Sequence, residues 1–140
     1  MGKVLGIDFG TKRVGLATGE ADFCIAFPRG VIVNTGVDKL VGEIVQTCNE
    51  LDIAQIVVGL PLSVEFQNRE NRVMADVESF VERLREESDL DVVLFDERFS
   101  SFEADELMNE ATGRGDKKIL GRDAYAAQVI LQRFFDTSKT

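Results

Sequence analysis

Hydrophobic and polar residues repeat along the chain with two different periods, which separate predicted strands from predicted helices. A period of two over 4–10 predicts a first strand, and a basic turn leads from it into a second strand at 14–18. A third strand is predicted at 25–33. Because proline lacks the N–H that a sheet ladder needs, Pro28 indicates that this strand lies at a sheet edge or carries a bulge.

Helical spacing of the apolar residues begins at residue 37. Apolar stripes predict helices at 37–51 and 70–87, and the polar segment 63–71 is predicted to be turn-like. Continuous apolar runs at 55–60 and 91–95 are typical of parallel strands that helices cover on both faces. These two runs are therefore interpreted as the fourth and fifth strands.

Two further helices are predicted in the last third of the chain. A capping box starts one helix at Ser100, which runs to Met108. A glycine-rich, basic loop follows at 111–121, and the last helix is predicted at 122–135. In that helix four residues at helical spacing share one face, which is expected to meet the core: Asp123, Ala127, Ile130 and Phe134.

The order of these elements predicts an α/β fold built on a mixed five-stranded sheet. The first three strands are expected to form an antiparallel meander, and the later strands to run parallel through helical crossovers, with helices on both faces. The 140 residues suit a single domain, 1–140, because no repeat or linker interrupts them. This topology would place the first strand at the centre of the sheet.

The first strand carries one carboxylate, Asp8, on a face that is otherwise bare. Alternation places Gly6 and Gly10 on either side of Asp8, and glycine leaves room for a ligand or for another backbone. One interpretation is a buried Asp that turn amides satisfy. The other is a phosphate-binding hairpin of the actin, Hsp70 and sugar-kinase type, which also opens with Asp-x-Gly-Thr.

The amino-acid composition excludes several kinds of catalytic and metal-binding site. The chain has no histidine, which excludes Ser-His-Asp and Cys-His catalysis and histidine metal sites. Cys24 and Cys48 form no Cys-x-x-Cys pair and have apolar neighbours, so reduced, buried thiols are predicted. No apolar run reaches the about 18 residues of a membrane span, and no signal peptide precedes the first strand, so we expect a cytoplasmic protein.

The net charge of −9 argues at first against a nucleic-acid partner, because phosphate backbones are bound largely by Lys and Arg. The acids are concentrated, however. Residues 76–110 contain thirteen acidic and three basic residues, which leaves 12 acidic and 13 basic residues in the remainder. Most of the concentrated acids are interpreted as a solvated helix face, so the rest of the surface is compatible with nucleic acid.

Three acids stand out by independent arguments. Asp8 lies within the first strand, Glu97 follows the fifth strand, and Asp123 lies on the inner face of the last helix. Grouping three like charges without a cation would cost several kcal/mol. Oxygen ligands without His or Cys favour Mg²⁺ or Mn²⁺ over zinc. The sequence therefore predicts a divalent-metal site suited to in-line phosphodiester hydrolysis.

A structural alternative stays open for the second and third acids. Glu97 could pair with Arg98 or another base. Asp123 could be merely a first-turn acid that the helix dipole favours.

Four segments carry a resemblance to a known family: Asp8–Gly15, Val57–Leu62, Phe95–Ser100 and Asp123–Ala127. In their order and approximate spacing they resemble the YqgF-type family of Holliday junction resolvase-like proteins, the pre-16S rRNA nucleases, over nearly the whole chain. The resemblance implies an RNase H-like fold, a divalent-metal nuclease and a role in maturing the 5′ end of 16S rRNA. Its acidic positions coincide with Asp8, Glu97 and Asp123.

The chain departs from the family pattern after Leu62. The family continues with an Asp-Gly-Ser or Asp-Gly-Thr loop and another glycine, where this chain has the segment 63–69. The replacement removes the glycines through which backbone amides would contact a phosphate. Either the side chains of Ser63, Asn68 and Arg69 substitute for that contact, or the loop has lost it.

Roles for the charged residues follow as hypotheses. Asp8 bridges two metal ions, and Glu97 and Asp123 each complete one coordination sphere. The neighbouring bases expected to hold phosphates are Lys12, Arg13 and Arg98. The bases expected to form a clamp on the strand are Arg114, Lys117, Lys118 and Arg122. A merely solvated basic loop is the alternative for this clamp.

The expected partners are precursor rRNA and the ribosome, with the protein a monomer or a homodimer. Cleavage of branched DNA is the alternative within nucleases. A non-catalytic RNA- or ribosome-binding module is the alternative from another class, which the acidic balance favours and the three acids disfavour. The ATP-binding hairpin is disfavoured because such proteins clasp ATP between two similar halves, and the chain has no internal repeat.

Overall fold

The computed structural model describes the backbone of residues 2–60, 67–96 and 121–138, and the side chains of 2–59, 75–95 and 121–137. Strands and helices are numbered in chain order: β1 is Lys3–Asp8, β2 Arg13–Glu20, β3 Ile25–Val33, α1 Val37–Leu51, β4 Ile53–Leu60, α2 Gln67–Ser88, β5 Asp91–Asp96 and α3 Arg122–Ser138. Their order confirms the predicted α/β class.

The five strands form one mixed sheet in the order β3-β2-β1-β4-β5. β1 and β3 pair antiparallel with β2, whereas β1, β4 and β5 run parallel. The predicted meander and the central position of β1 are therefore confirmed. β3 lies at the edge, and its ladder is irregular beside Pro28, which pairs with Ala17 while Leu16 pairs with Gly30. Both consequences predicted for Pro28 are present.

Helices cover both faces of the sheet, as predicted. The apolar stripes on one face are buried: Leu40, Val41, Ile44 and Cys48 of α1, and Val77, Phe80, Val81 and Leu84 of α2. α3 packs on the opposite face through Ala127, Ile130 and Leu131. Because successive strand residues point to opposite faces, Ile7 lies under α1 and α2, and Asp8 lies on the α3 side.

Glycines in β1 and its following turn permit close backbone contacts. A Cβ at Gly6 would lie 2.8 Å from the Leu131 Cβ and 3.2 Å from the Ala127 carbonyl oxygen, so α3 rests directly on this glycine. A Cβ at Gly10 would overlap the carbonyl oxygen of Arg13 across the turn. Of the two predicted uses of these glycines, the approach of another backbone is the one that the structure shows.

Only β3 and α1 have the predicted bounds, and each of the other described elements begins or ends one to three residues away from its prediction. β1 ends at Asp8 instead of Gly10. α2 begins at Gln67, so the turn predicted over 63–71 is wrong for its last five residues. That stretch is polar, but it contains no glycine or proline, and Gln, Arg and Glu are good helix formers. The predicted helix Ser100–Met108 and most of the loop 111–121 lie outside the described residues.

Two expectations from composition concern the thiols and the membrane. Cys48 is buried, and burial raises the pKa of its thiol to about 11. Cys24 is only partly buried, which corrects the prediction that both thiols are buried.

Across the described ranges, no helix combines the length and apolar character that crossing a membrane requires.

We expect Gly6→Ala to destabilise the fold by ~1–3 kcal/mol, because the new methyl group would overlap Leu131 and the α3 backbone. Urea unfolding measures the change. The matched control is Gly42→Ala in α1, where an added Cβ meets nothing within 4 Å. Alanine there should stabilise the helix by ~0.5–1 kcal/mol. Similar effects of the two substitutions would contradict the close packing of α3 on β1.

Candidate functional site

Asp8 ends the central strand at the edge of the sheet where β1, β4 and β5 have their carboxyl ends. Its partners in the two neighbouring strands are both glycines, Gly15 in β2 and Gly59 in β4. The neighbouring strands therefore place no side chain directly beside Asp8 at the paired positions. Open α/β sheets bind ligands at this carboxyl edge, and the half-buried Asp8 side chain lies there.

The first turn of α3 lies directly against Gly15. A Cβ at Gly15 would overlap the carbonyl oxygen of Asp123 and lie 2.9 Å from the Ala124 nitrogen. Paired Cα atoms in an antiparallel ladder are about 4.5–5.5 Å apart, so this contact brings Asp123 next to Asp8. Two of the three predicted acids are thus brought together. In the sequence Gly15 is only the last residue of the segment Asp8–Gly15, and no local pattern predicts which helix contacts it.

Asp123 is paired with Arg13, the first residue of β2. Arg13 Nε lies 3.1 Å from Asp123 Oδ2, and the two side chains are 69% and 31% exposed. A pair this open to water contributes only ~0–1 kcal/mol. The first turn of α3 also favours a negative charge at Asp123, by ~0.3–1 kcal/mol. Arg13 therefore partly offsets the charge of Asp123, but the weak ion pair does not hold either side chain in one position.

Asn34, the residue after β3, fixes the turn that carries Lys12 and Arg13. Its Nδ2 donates to the Gly10 carbonyl oxygen at 2.9 Å. Its backbone N–H donates to the Lys12 carbonyl oxygen at 2.8 Å. Its Oδ1 accepts from the Gly36 N–H at 3.2 Å. No role for Asn34 was predicted from the sequence. Its contact with Gly10 spans 24 residues, so no local signal reveals it.

The predicted bases fall into a described and an undescribed group. Lys12 and Arg13 are exposed in the turn beside Asp8, and Arg122 is the exposed first residue of α3. The remaining predicted site residues lie outside the described part of the chain: Glu97, Arg98, Arg114, Lys117 and Lys118. β5 ends at Asp96, the residue before Glu97, at the same sheet edge as Asp8.

The two described acids fit a hard divalent cation. Their donors are carboxylate oxygens, the ligands that Mg²⁺ and Mn²⁺ take in proteins. The described residues contain no group of three or more His, Cys, Asp or Glu placed to hold a metal. A complete metal site therefore needs at least one donor beyond the described residues.

Comparison with known sequences identifies relatives along almost the whole chain. Residues 2–137 match the family model described as "RuvX: Holliday junction resolvase". A Maridesulfovibrio salexigens protein named "Putative pre-16S rRNA nuclease" is 38% identical over 130 residues, which are 93% of this chain and 95% of that one. An Oleidesulfovibrio alaskensis protein of the same name is 39% identical over 134 residues, 96% of this chain and 92% of that one.

Comparison with solved structures finds the same fold in resolvases. The fold is similar to that of Thermus thermophilus RuvC in complex with a Holliday junction substrate, with a TM-score of 0.66, 13% identity, and coverage of 97% of this chain and 95% of that chain. Fowlpox virus resolvase in its Holliday junction DNA complex gives a TM-score of 0.62 at 8% identity, covering 99% of both chains. These similarities confirm the predicted RNase H-like fold.

We expect Asn34→Ala to loosen the turn that carries Lys12 and Arg13, because the side-chain bonds to Gly10 and Gly36 are lost at ~0.5–1.5 kcal/mol each. Hydrogen–deuterium exchange should be faster across residues 9–13. Thr35→Ala removes an exposed neighbouring side chain and should leave exchange unchanged. If both variants exchange like the wild type, Asn34 does not hold the turn.

Proposed function

The chain belongs to the RuvX family of Holliday junction resolvases and is a nuclease, and we propose that it cleaves precursor 16S rRNA at the 5′ end with a bound divalent cation. The observation that carries the mechanism is the packing of α3 on Gly15, which brings Asp123 to Asp8. The names of relatives 38–39% identical over most of the chain support the rRNA substrate.

The proposed third acid is Glu97. The parallel register pairs Asp8 with Gly59, and Gly59 with Phe95. These three residues therefore lie at the same level near the carboxyl edge of the sheet. Glu97 lies two residues beyond Phe95 in the chain. We infer that it joins the two described acids as a ligand of Mg²⁺ or Mn²⁺.

In this proposal Asp8, Glu97 and Asp123 hold the cation and orient the water that attacks the phosphodiester bond. A bound divalent ion would activate that water and stabilise the leaving oxygen. Because the chain has no histidine, no imidazole can act as the general base or acid in this reaction. The attack breaks the phosphorus–oxygen bond in line and leaves a phosphate on one product end and a hydroxyl on the other.

The bases beside the acids are proposed to hold the phosphates of the substrate. Arg13 is exposed, and its ion pair with Asp123 contributes only ~0–1 kcal/mol. A charged phosphate oxygen can therefore replace Asp123 as the partner of Arg13 at little cost in free energy. Lys12 is exposed in the same turn, which Asn34 fixes. The proposal extends this role to Arg98, and assigns a clamp on the strand to Arg114, Lys117, Lys118 and Arg122.

Branched DNA is the second candidate substrate. The solved structures of similar fold include resolvases in complex with Holliday junctions, and both substrates present the same phosphodiester chemistry. The proposed partners are thus nucleic acids, with the ribosome as the site where precursor rRNA would be met.

We expect Asp8→Asn to lower metal-dependent cleavage by about a thousandfold, because a neutral amide removes several kcal/mol of cation-mediated transition-state stabilisation. The matched control is Asp52→Asn, the same chemical change at the exposed left-handed C-cap of α1. Asparagine suits that conformation, so the control should cleave like the wild type. Normal cleavage by a folded Asp8→Asn variant would contradict the mechanism.

The same preparations distinguish the substrates. We expect the wild-type chain to cut a precursor carrying the 5′ end of 16S rRNA faster than a four-way DNA junction, in Mn²⁺ and not in EDTA. Faster cleavage of the junction would select the DNA substrate. Binding of either nucleic acid without any cleavage in Mg²⁺ or Mn²⁺ would support the non-catalytic module and contradict the proposal.

A further inference from the structure

Two glutamines of α3 bind the backbone of the edge strand β3 and of the residue before it. Gln132 Nε2 donates to the Cys24 carbonyl oxygen at 2.8 Å, and Gln132 Oε1 accepts from the Ala26 N–H at 3.0 Å. Gln128 Nε2 donates to the Ala26 carbonyl oxygen at 2.9 Å. These bonds join residues 102 to 108 positions apart in the chain. The glutamines therefore occupy backbone groups that a further strand would bind.

The two glutamines hold β3 unequally. Gln132 uses both ends of its carboxamide, so it binds the edge much as the peptide groups of a neighbouring strand would. Gln128 makes one such bond, and its Oε1 is buried without a hydrogen-bond partner among the described residues. An amide held at one end can pivot about its bond, whereas an amide held at both ends cannot. Gln132 is therefore the firmer attachment of α3 to β3.

Gln132 and Asp123 lie on opposite sides of α3. They are nine residues apart, which is about two and a half turns at about 3.6 residues per turn. Between these two sides, Ala127 and Leu131 pack against the sheet. Any rotation of α3 about its own axis therefore moves both side chains, one toward the sheet and the other away from it.

The packing of α3 on β1 and β2 gives little resistance to such a rotation. It depends on Gly6 and Gly15, which present no side chain to the helix, and apolar burial is non-directional. The ion pair between Arg13 and Asp123 is too exposed to hold the helix. Hydrogen bonds weaken steeply when their angles change. The bonds of Gln132 therefore supply a directional constraint that the packing lacks.

We propose that Gln132 is a positioning residue, which sets the rotation of α3 and so keeps Asp123 over Gly15, one strand away from Asp8. It acts through the helix and contacts neither the substrate nor the cation. The inference rests on the proposed function only where it links the position of Asp123 to cation binding. The position of α3 itself is measurable in the metal-free chain.

The first measurement follows α3 by NMR in the metal-free chain. A Cβ at Gly15 would lie 2.9 Å from the Ala124 nitrogen, so a Gly15 Hα proton and the Ala124 amide proton should give a strong NOE. Gln132→Met keeps the length and the helix propensity of the side chain but removes its bonds to β3 and to Cys24. We expect this NOE to weaken about threefold in the variant, because the helix loses its angular constraint.

The second measurement is the dissociation constant of Mn²⁺, read from the EPR signal of the free ion. Residues that orient a metal ligand typically change metal affinity by tenfold or more, and a residue acting at a distance should do less. We therefore expect Gln132→Met to raise the dissociation constant about three- to tenfold. Gln128→Met should have a smaller effect, since it removes one bond to β3 where Gln132→Met removes two contacts.

The matched control is Gln46→Met, the same change at an exposed position of α1, on the other face of the sheet. This variant should keep both the NOE and the Mn²⁺ affinity of the wild type. If Gln132→Met does not fold, Gln132→Glu replaces it in both measurements, because a carboxylate still accepts from the Ala26 N–H but cannot donate to Cys24.

The outcomes separate this inference from the proposed function. An unchanged NOE in a folded Gln132 variant overturns the positioning role. A weakened NOE with the Mn²⁺ affinity of the wild type overturns the role of Gln132 in the site. An effect of Gln128→Met as large as that of Gln132→Met overturns the explanation by hydrogen bonds. A wild-type chain that binds no Mn²⁺ contradicts the proposed function, and the NOE then decides whether Gln132 positions α3.

Discussion

The contact between Gly15 and the first turn of α3 is the constraint on which the candidate site depends. Only a residue without a Cβ lets the Asp123 backbone rest on β2 at this point. The β1–β2 register then places the Asp123 backbone one strand away from Asp8, because Gly15 and Asp8 are paired. Gly6 continues the same contact further along α3. A helix packed on glycines of two strands thus joins carboxylates from opposite ends of the chain.

The two electrostatic interactions of Asp123 at this contact are weak. The structural alternative for Asp123 is partly realised, since it is a first-turn acid and is paired with Arg13. Each of these interactions contributes only ~1 kcal/mol or less. In the proposed function a divalent cation would offset the charges of both carboxylates. The weak ion pair is the reason why the proposed function assigns Arg13 to a phosphate of the substrate.

Local patterns predicted the sheet topology well because each element carries its own signal. The period-two alternation, the buried runs and the apolar stripes gave the mixed sheet with β1 at its centre, and Pro28 correctly indicated an edge strand with a bulge. The turn predicted over 63–71 was wrong in part because polarity alone does not end a helix. The partial exposure of Cys24 was missed because apolar sequence neighbours do not guarantee burial.

The site was only half predictable for a different reason. Alternation and helical spacing placed Asp8 and Asp123 on inward faces, but the Gly15 contact, the Asn34 bonds and the glutamines on β3 all join residues far apart in the chain.

Whether Asp8, Glu97 and Asp123 share a divalent cation is tested most directly by anomalous diffraction from crystals soaked in Mn²⁺. We predict a peak about 2.1 Å from a carboxylate oxygen of Asp8, with Asp123 and Glu97 turned toward it. Absence of a peak there, with Asp123 still paired with Arg13 at saturating Mn²⁺, would contradict a metal-dependent site.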